Sequence, residues 1–388
     1  MLKSLLNSSR SQNLTSNLFA IIAGALTGYV AWGHGFVFSI LSIALLFAYL
    51  RFPQRLPVFL FALSYYLSAS RGLLIGTMHY YEGIKVAFEV WFGAAFLSSL
   101  AWGLIWHRQR KVRYLLLPVV LLLISVPPIG YINWVNPLIS AGTVFPGLGW
   151  YGFGLLLAVV IITDCLFDEN RLISFAIVSV LLLLALDMPG PKIDDRFASV
   201  RSHFDYATGH NDFQSKFYRL EKFVSMVNDS NRSLVVLPEN ALGFFSELDM
   251  MVLDSFDHNK TVFAGANIDL PHSKLYANVF VEFRNGHFEV VYWQRVPVPI
   301  SMWGNGAKAY LFKNPVVNFE GIRAGVFICY EQLIALTYAQ TFLNDPQVLI
   351  GVSNLWWAKG TSIESIQLET IQLWSALFGV PYVFSVNE

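Results

Sequence analysis

The sequence is short of charge. Asp, Glu, Lys and Arg make up 13% of its 388 residues, against roughly 25% in soluble domains. The 26 acids and 26 bases cancel, so the net charge suggests no nucleic-acid partner. Cysteine is scarcer still: Cys165 and Cys329 are the only two. That excludes a disulfide framework and leaves the redox compartment open. No Cys/His spacing of a zinc site accompanies them, and no metal or other cofactor is expected. Within the apolar runs of the first half, few ionisable residues interrupt, chiefly Arg71, Glu89 and Asp164, which argues against a transporter.

What is present is apolar length. Hydrophobic residues are 55% of the chain and the mean hydropathy is +0.51, with the excess in the first half. After a polar start over Met1–Ser16, seven segments read as candidate membrane spans: Leu18–Trp32, Phe36–Leu50, Leu56–Thr77, Val86–Trp106, Tyr114–Tyr131, Trp150–Leu166 and Leu172–Met188. The first two are short for a crossing that takes ~20 apolar residues. The third holds Arg71, which belongs at an interface or facing other helices, in a broken or tilted segment. Successive apolar runs exclude a cleaved signal peptide. Arg51 and Arg55, then Arg108, Arg110, Lys111 and Arg113, then Arg171 fall on alternate connections. The positive-inside rule then puts the N-terminus in the cytoplasm and everything after Met188 on the other side. Cys165, near the end of a span, reads as a membrane-packed thiol. The stretch 133–150 (NWVNPLISAGTVFPGLGW) is long for a connector. It reads either as a functional loop or as an interfacial aromatic belt.

Pro189-Gly190-Pro191 marks a change of composition, dividing the chain into a membrane domain, 1–188, and a soluble domain, 189–388, large enough for its own core. Strands are expected near Leu234–Leu237, Val262–Ala266, Tyr276–Phe283, Phe288–Trp293, Arg323–Cys329, Val348–Val352 and Tyr382–Val386. Helices are expected near Asn211–Val227, Gln332–Leu343 and Ser362–Phe378, with Asp212 and Ser362 close to helix starts. The alternation predicts a layered α/β domain. His210 reads as part of a turn entering a helix rather than as a base or ligand.

The chemistry centres on Gly325-Val326-Phe327-Ile328-Cys329-Tyr330-Glu331, a short apolar strand that ends on a thiol. A lone buried cysteine is ordinarily a packing residue, but the carboxyl end of a strand is where α/β folds place reactive groups. Leu234–Leu237 likewise runs into Pro238 and Glu239. Glu239 reads as a cap or, beside a strand-end thiol, as a general base whose pKa burial would raise. In Tyr292–Trp303 (YWQRVPVPISMW), Pro297 and Pro299 force extended backbone. The segment is an edge strand leaving its sheet, or a rigid loop aiming Arg295 at an oxyanion.

Leu237-Pro238-Glu239, the Tyr292 loop, Ile328-Cys329-Tyr330-Glu331, Val352-Ser353-Asn354 with Trp357, and the last helix into Val386-Asn387 follow the order seen in the nitrilase (carbon–nitrogen hydrolase) superfamily. With several spans before that domain, the whole chain resembles the membrane-bound apolipoprotein N-acyltransferases and, through RVPVPISMW and NPLISAGTVFPG, their relatives among plasmid conjugal transfer proteins. The resemblance implies an αββα nitrilase-like sandwich in the periplasm, held by a multi-pass bacterial inner-membrane domain. It implies Cys329 as a thioester-forming nucleophile, Glu239 as base, Glu331 as a supporting acid, and a pocket of Gln294, Tyr330, Asn354 and Trp357. The family's lysine falls at Gln294, with Arg295 beside it as a substitute charge; Lys308 and Lys313 lie beyond the motif. The family's second acid is replaced near Ser301 and Met302. The family's closing span is also missing, which predicts a soluble domain tethered on one side. The resemblance implies acyl transfer to an amine or to water, or else a non-catalytic assembly factor. The implied partners are the lipid bilayer, an unidentified acyl donor or amide, and a component of the conjugation machinery.

Overall fold

The computed structural model describes residues 2–81, 83–204 and 213–388; His210 and Asp212 lie outside them. The chain forms two compact units, residues 1–190 with 361–379, and residues 191–360 with 380–388.

The first unit is helical: α1 (Leu2–Ala31), a 3-10 segment Phe36–Ser42 leading into α2 (Ile43–Arg51), α3 (Arg55–Ala69), α4 (Arg71–Tyr81), α5 (Ile84–Leu104), α6 (Arg110–Ser125), the short α7 (Ala141–Val144), α8 (Trp150–Glu169) and α9 (Arg171–Leu186). Every segment expected to span is helical, but lengths differ. Among the described residues, three helices are long and apolar enough to cross a membrane: Asn13–Ala31, Ile84–Leu104 and Trp150–Glu169. The pair α3 and α4, bent by 54°, makes a fourth if taken as one span. Arg71 sits at that bend. Its guanidinium lies 4.3 Å from the Tyr29 ring centroid and donates to the Trp32 carbonyl at 3.2 Å. At α1, a Cβ on Gly24 would lie 2.3 Å from Phe61 O, and one on Gly28 2.2 Å from Tyr65 O. Only a residue without a Cβ admits such close backbones. Asp164, fully buried on α8, receives Arg51 Nε at 2.5 Å and Arg110 Nε at 2.6 Å, so its charge is paired. Cys165, next to it, is exposed.

The second unit is built on two five-stranded sheets, in the orders β1-β3-β4-β5-β6 and β2-β10-β9-β8-β7. The strands are β1 (Phe197–Ser199), β2 (Arg201–Ser202), β3 (Leu234–Val236), β4 (Thr261–Asp269), β5 (Tyr276–Arg284), β6 (His287–Trp293), β7 (Val316–Phe319), β8 (Ile322–Ile328), β9 (Val348–Asn354) and β10 (Tyr382–Asn387). Alternation along a strand assigns its two faces. On β4, Val262, Ala264 and Ala266 join a core with Leu220, Phe223 and Val227 of α10 (Phe213–Asn228). Phe263 points the other way, its ring 4.1 Å from that of Phe319 on β7 in the second sheet. The outer face of the second sheet is covered by α13 (Ala335–Phe342), where Tyr338 stacks on Phe327 at 4.2 Å. The layers therefore run helix, sheet, sheet, helix. Two further short helices are α11 (Glu247–Leu253) and α12 (Ser301–Gly304). The helix expected over 332–343 begins later, because a 3-10 turn, Cys329–Leu333, intervenes.

The helix expected near 362–378, α14 (Ile363–Phe378), belongs to the first unit. Its seat is the stretch 133–150. Gly147 N donates to Ala376 O at 2.9 Å and Gly149 N to Leu377 O at 2.7 Å. Trp150 packs edge-on against Phe378, and Phe153 against Trp374. Glu369, buried on α14, accepts from Gly33 N at 2.9 Å and Gly35 N at 2.5 Å. The chain thus passes between the units at 190–191, 360–361 and 379–380. The expectation of a single tether fails, because an amphipathic helix between two strands of one unit finds its apolar seat in the other.

A Cβ at Gly142 would lie 2.2 Å from Leu373 O, a backbone atom that cannot swing aside. Gly142→Val should loosen α14, lowering thermal stability by about 1–3 kcal/mol and speeding hydrogen exchange over 363–378. Gly154→Ala, where a Cβ meets nothing within 4 Å, should leave both unchanged.

Candidate active site

β8 and β9 are parallel neighbours, with Ile328 opposite Val352. Their carboxyl ends therefore bring Cys329 and Asn354 to the same edge. Cys329 takes a φ of 50°, an uncommon conformation for a residue with a Cβ, and is buried at the first position of the 3-10 turn.

Glu331 holds that turn. Its carboxylate is fully buried. Oε2 accepts from Ile328 N at 2.8 Å and from the Tyr292 hydroxyl at 2.8 Å. Oε1 accepts from Val296 N at 3.0 Å and, in a closer contact, from Arg295 N. Burial raises its pKa, while the nearby Arg295 charge and these donors pull it back. The exit of β6 is thereby fastened to the cysteine turn.

Glu239 arrives from the other sheet. The turn after β3 packs against Gly265, where a Cβ would come within 2.5 Å of Asn240 N and 2.6 Å of Glu239 Cα. Glu239 is buried; Oε1 accepts from Asn278 Nδ2 at 2.8 Å and Oε2 from Asn354 N at 2.9 Å. Its carboxyl also shares a hydrogen bond with the Cys329 side chain. Burial pushes its pKa up from 4.5 to about 7, against those three hydrogen bonds, which lower it. A carboxyl poised near neutrality can both take and return a proton. Asn354 is in turn held by Asn387, whose Nδ2 donates to its Oδ1 at 2.8 Å. A cavity of about 20 Å³ lies beside Glu239, Asn354, Trp356 and Asn387, room for about one water.

Gln294 is fully buried and donates through Nε2 to Ile328 O at 3.1 Å, placing its amide at the cysteine turn. A carbonyl only accepts, so this bond fixes the amide's orientation. Arg295 takes another direction. Its guanidinium, fully buried, donates to the Tyr292 hydroxyl at 2.7 Å, to Thr337 O and Gln340 Oε1 at 3.0 Å, and to Thr341 Oγ1 at 3.3 Å. Nε lies 3.9 Å from Glu331. No hydrogen bond among the described residues joins it to Glu239 or Cys329. The expected oxyanion contact is thus replaced by a charge partner for Glu331, because the β6 exit turns this side chain beneath β8 and α13. Tyr330 and Trp357 are half-buried on the turns after Cys329 and Asn354. Lys308 and Lys313 lie over the rings of Tyr310 and Trp293 instead.

Structure thus groups Glu239, Gln294, Cys329, Glu331 and Asn354. It adds Asn278, which sequence reasoning missed although an amide inside the apolar run YANVFVEFR was a signal. Among the described residues no cluster of His, Cys, Asp and Glu suits a metal ion.

No family model matches the chain. A conjugal transfer protein TraB from Agrobacterium fabrum is 30% identical over 406 aligned positions, covering 95% of this chain and 92% of that protein. A probable conjugal transfer protein TraB from Sinorhizobium fredii is 31% identical, covering 94% and 97%. Among solved structures, a carbon–nitrogen hydrolase from Helicobacter pylori is 14% identical with a TM-score of 0.36, over 48% of this chain and 71% of that one. An amidase of the nitrilase superfamily from Nesterenkonia sp. AN1 is 10% identical with a TM-score of 0.37, over 52% and 78%.

Glu331→Ala would strand the Arg295 charge and several buried donors. Losing one partner of such a pair costs about 3–5 kcal/mol. Thermal unfolding should show that loss, whereas Lys313→Ala, at an exposed side chain, should change little.

Proposed function

The chain belongs to the family of conjugal transfer proteins named TraB, and from that premise we propose that it is a membrane-anchored thiol acyl-transfer enzyme of the nitrilase type. The observation that carries this reading is the hydrogen bond between the Cys329 side chain and a buried Glu239 whose pKa is pushed up to about 7. The apolar helices of the first unit serve as the anchor, with the second unit on the periplasmic side of a bacterial inner membrane.

In the first half-reaction, Glu239 takes the thiol proton as the Cys329 sulfur attacks a carbonyl carbon. The same proton then passes to the leaving group as its bond to that carbon breaks, which leaves a thioester. An amine or water next attacks the thioester. The C–S bond breaks, the incoming group loses a proton to Glu239, and Glu239 returns one to the sulfur. The Gln294 amide, together with backbone N–H groups of the cysteine turn, stabilises the oxyanion. Arg295 is a positioning residue: it neutralises Glu331, which holds the turn that carries Cys329. Tyr330, Asn354 and Trp357 border the substrate.

A second reading has one observation in its favour. Arg295 lies beside Glu331 and the neutral Gln294 amide is turned to the cysteine turn, so the position at which the resemblance implies a lysine brings no charge there. On that reading the unit is a binding module in assembly of the conjugation machinery.

Alkylation rates separate the two. With Glu239 as base, labelling of Cys329 in detergent-solubilised protein should rise through a midpoint near pH 7, following Glu239. In Glu239→Gln the midpoint should move toward the ordinary thiol value of about 8.5. A wild-type profile already at that ordinary value would favour the binding module.

Stability should respond in a matching way. A carboxyl whose folded pKa lies above its unfolded value stabilises the fold fully below the unfolded pKa and loses that contribution as pH rises through the folded one. For Glu239 the window runs from 4.5 to about 7. Thermal stability should therefore decline across it in the wild type and less steeply in Glu239→Gln.

A further inference from the structure

The connection from β6 to β7 exposes side chains that a surface in water would bury. Phe312 is 94% exposed, Ile300 61% and Trp303 45%. Single exposed apolar residues are ordinary, but a phenylalanine almost wholly in solvent, with Ile and Trp on the same connection, marks an interaction surface. The backbone is built to present them. Ile300 adopts a φ of 70°, a strained state for a β-branched residue. The turn that follows is closed by Ala307 N to Met302 O at 2.9 Å and fastened to β5 by Tyr276 N to Gly306 O at 3.0 Å. The root of the connection is held by Val296 N on Glu331.

Charge identifies what the surface meets. From Val296 to Phe319 the only charged residues are Lys308 and Lys313, both exposed. Their ammonium groups lie over the rings of Tyr310 and Trp293. An acid-free segment with two lysines around a Trp, a Phe and an Ile has the composition of an interfacial anchor. Aromatic rings occupy the headgroup level, aliphatic side chains reach the acyl boundary, and lysines meet anionic headgroups.

We propose that residues 297–313 form a membrane-surface anchor, in which Ile300, Trp303 and Phe312 enter the interfacial layer of a bilayer and Lys308 and Lys313 bind anionic lipid headgroups. The inference rests on the proposed membrane placement of the first unit. Because the root of the anchor is tied through Glu331 to the Cys329 turn, it gives the thiol a fixed attachment to the surface from which a lipid-borne acyl donor would come.

The test uses the full chain, with Cys165→Ala and Cys329→Ser, in nanodiscs of phosphatidylcholine and phosphatidylglycerol. A fluorophore is placed through Phe312→Cys, with reference labels through Leu155→Cys on α8 and His258→Cys on the second unit. Nitroxide-bearing lipids should quench the labels at 312 and 155, and iodide should quench only the label at 258. Lys308→Glu with Lys313→Glu should lower lipid-side quenching at 312, with bilayer occupancy reduced on the order of fivefold per lysine and only in anionic discs. Iodide quenching at 312 with lipid quenching at 155 would overturn the anchor and leave the membrane placement standing. Shielding of 312 from both quenchers would overturn it in favour of a protein contact. Iodide quenching at 155 would overturn the membrane placement, and the anchor with it.

Discussion

A buried carboxylate governs the geometry of the candidate site. Glu331 collects Ile328 N, the Tyr292 hydroxyl and the backbone of Arg295 and Val296, and so fixes two chain segments against each other. Without those bonds, a cysteine at positive φ would lack the closure that holds its turn, and the β6 exit would be free of β8. The charge this carboxylate brings into the interior is the reason Arg295 is buried beside it. An uncompensated ion there would be far more costly than the pair. The arginine that looks catalytic in the sequence is therefore consumed in making the thiol's scaffold.

Glu239 stands under the opposite condition. Its carboxyl is buried with amide, backbone and thiol partners and no cation among them. Desolvation therefore dominates and brings its pKa to about 7. Two acids thus differ through their partners: one is held by a dense set of donors, the other is pushed by burial to about 7. The bonds from Asn354 to Glu239 and from Asn387 to Asn354 carry this arrangement to the ends of β9 and β10. Those are the strands between which the chain leaves to form α14 within the helical unit.

Much of this was legible in the sequence, for physical reasons. The apolar runs Leu234–Leu237 and Gly325–Ile328 break off at Pro238-Glu239 and at Cys329, and that break is what marks Glu239 and Cys329 as strand-end groups. Helix and strand periods differ enough that most elements of the second unit could be placed. Side-chain direction could not be read. Arg295 and Gln294 are adjacent, and nothing in their order says which turns toward the cysteine turn and which turns beneath β8. The seat of α14 on 133–150 was equally hidden, because glycines such as Gly142 announce a close approach without naming the partner. Asn278 escaped notice because an amide within an apolar strand has meaning only once Glu239 is seen opposite it.

The most direct test of a working thiol is the covalent state of Cys329 in protein taken from native membranes. Peptide mass spectrometry, with and without hydroxylamine, would read it. A hydroxylamine-labile acyl group on Cys329, absent from Glu239→Gln, is the predicted result. Cys329 found unmodified in every preparation, with or without Glu239, would contradict a catalytic thiol and leave the binding-module reading.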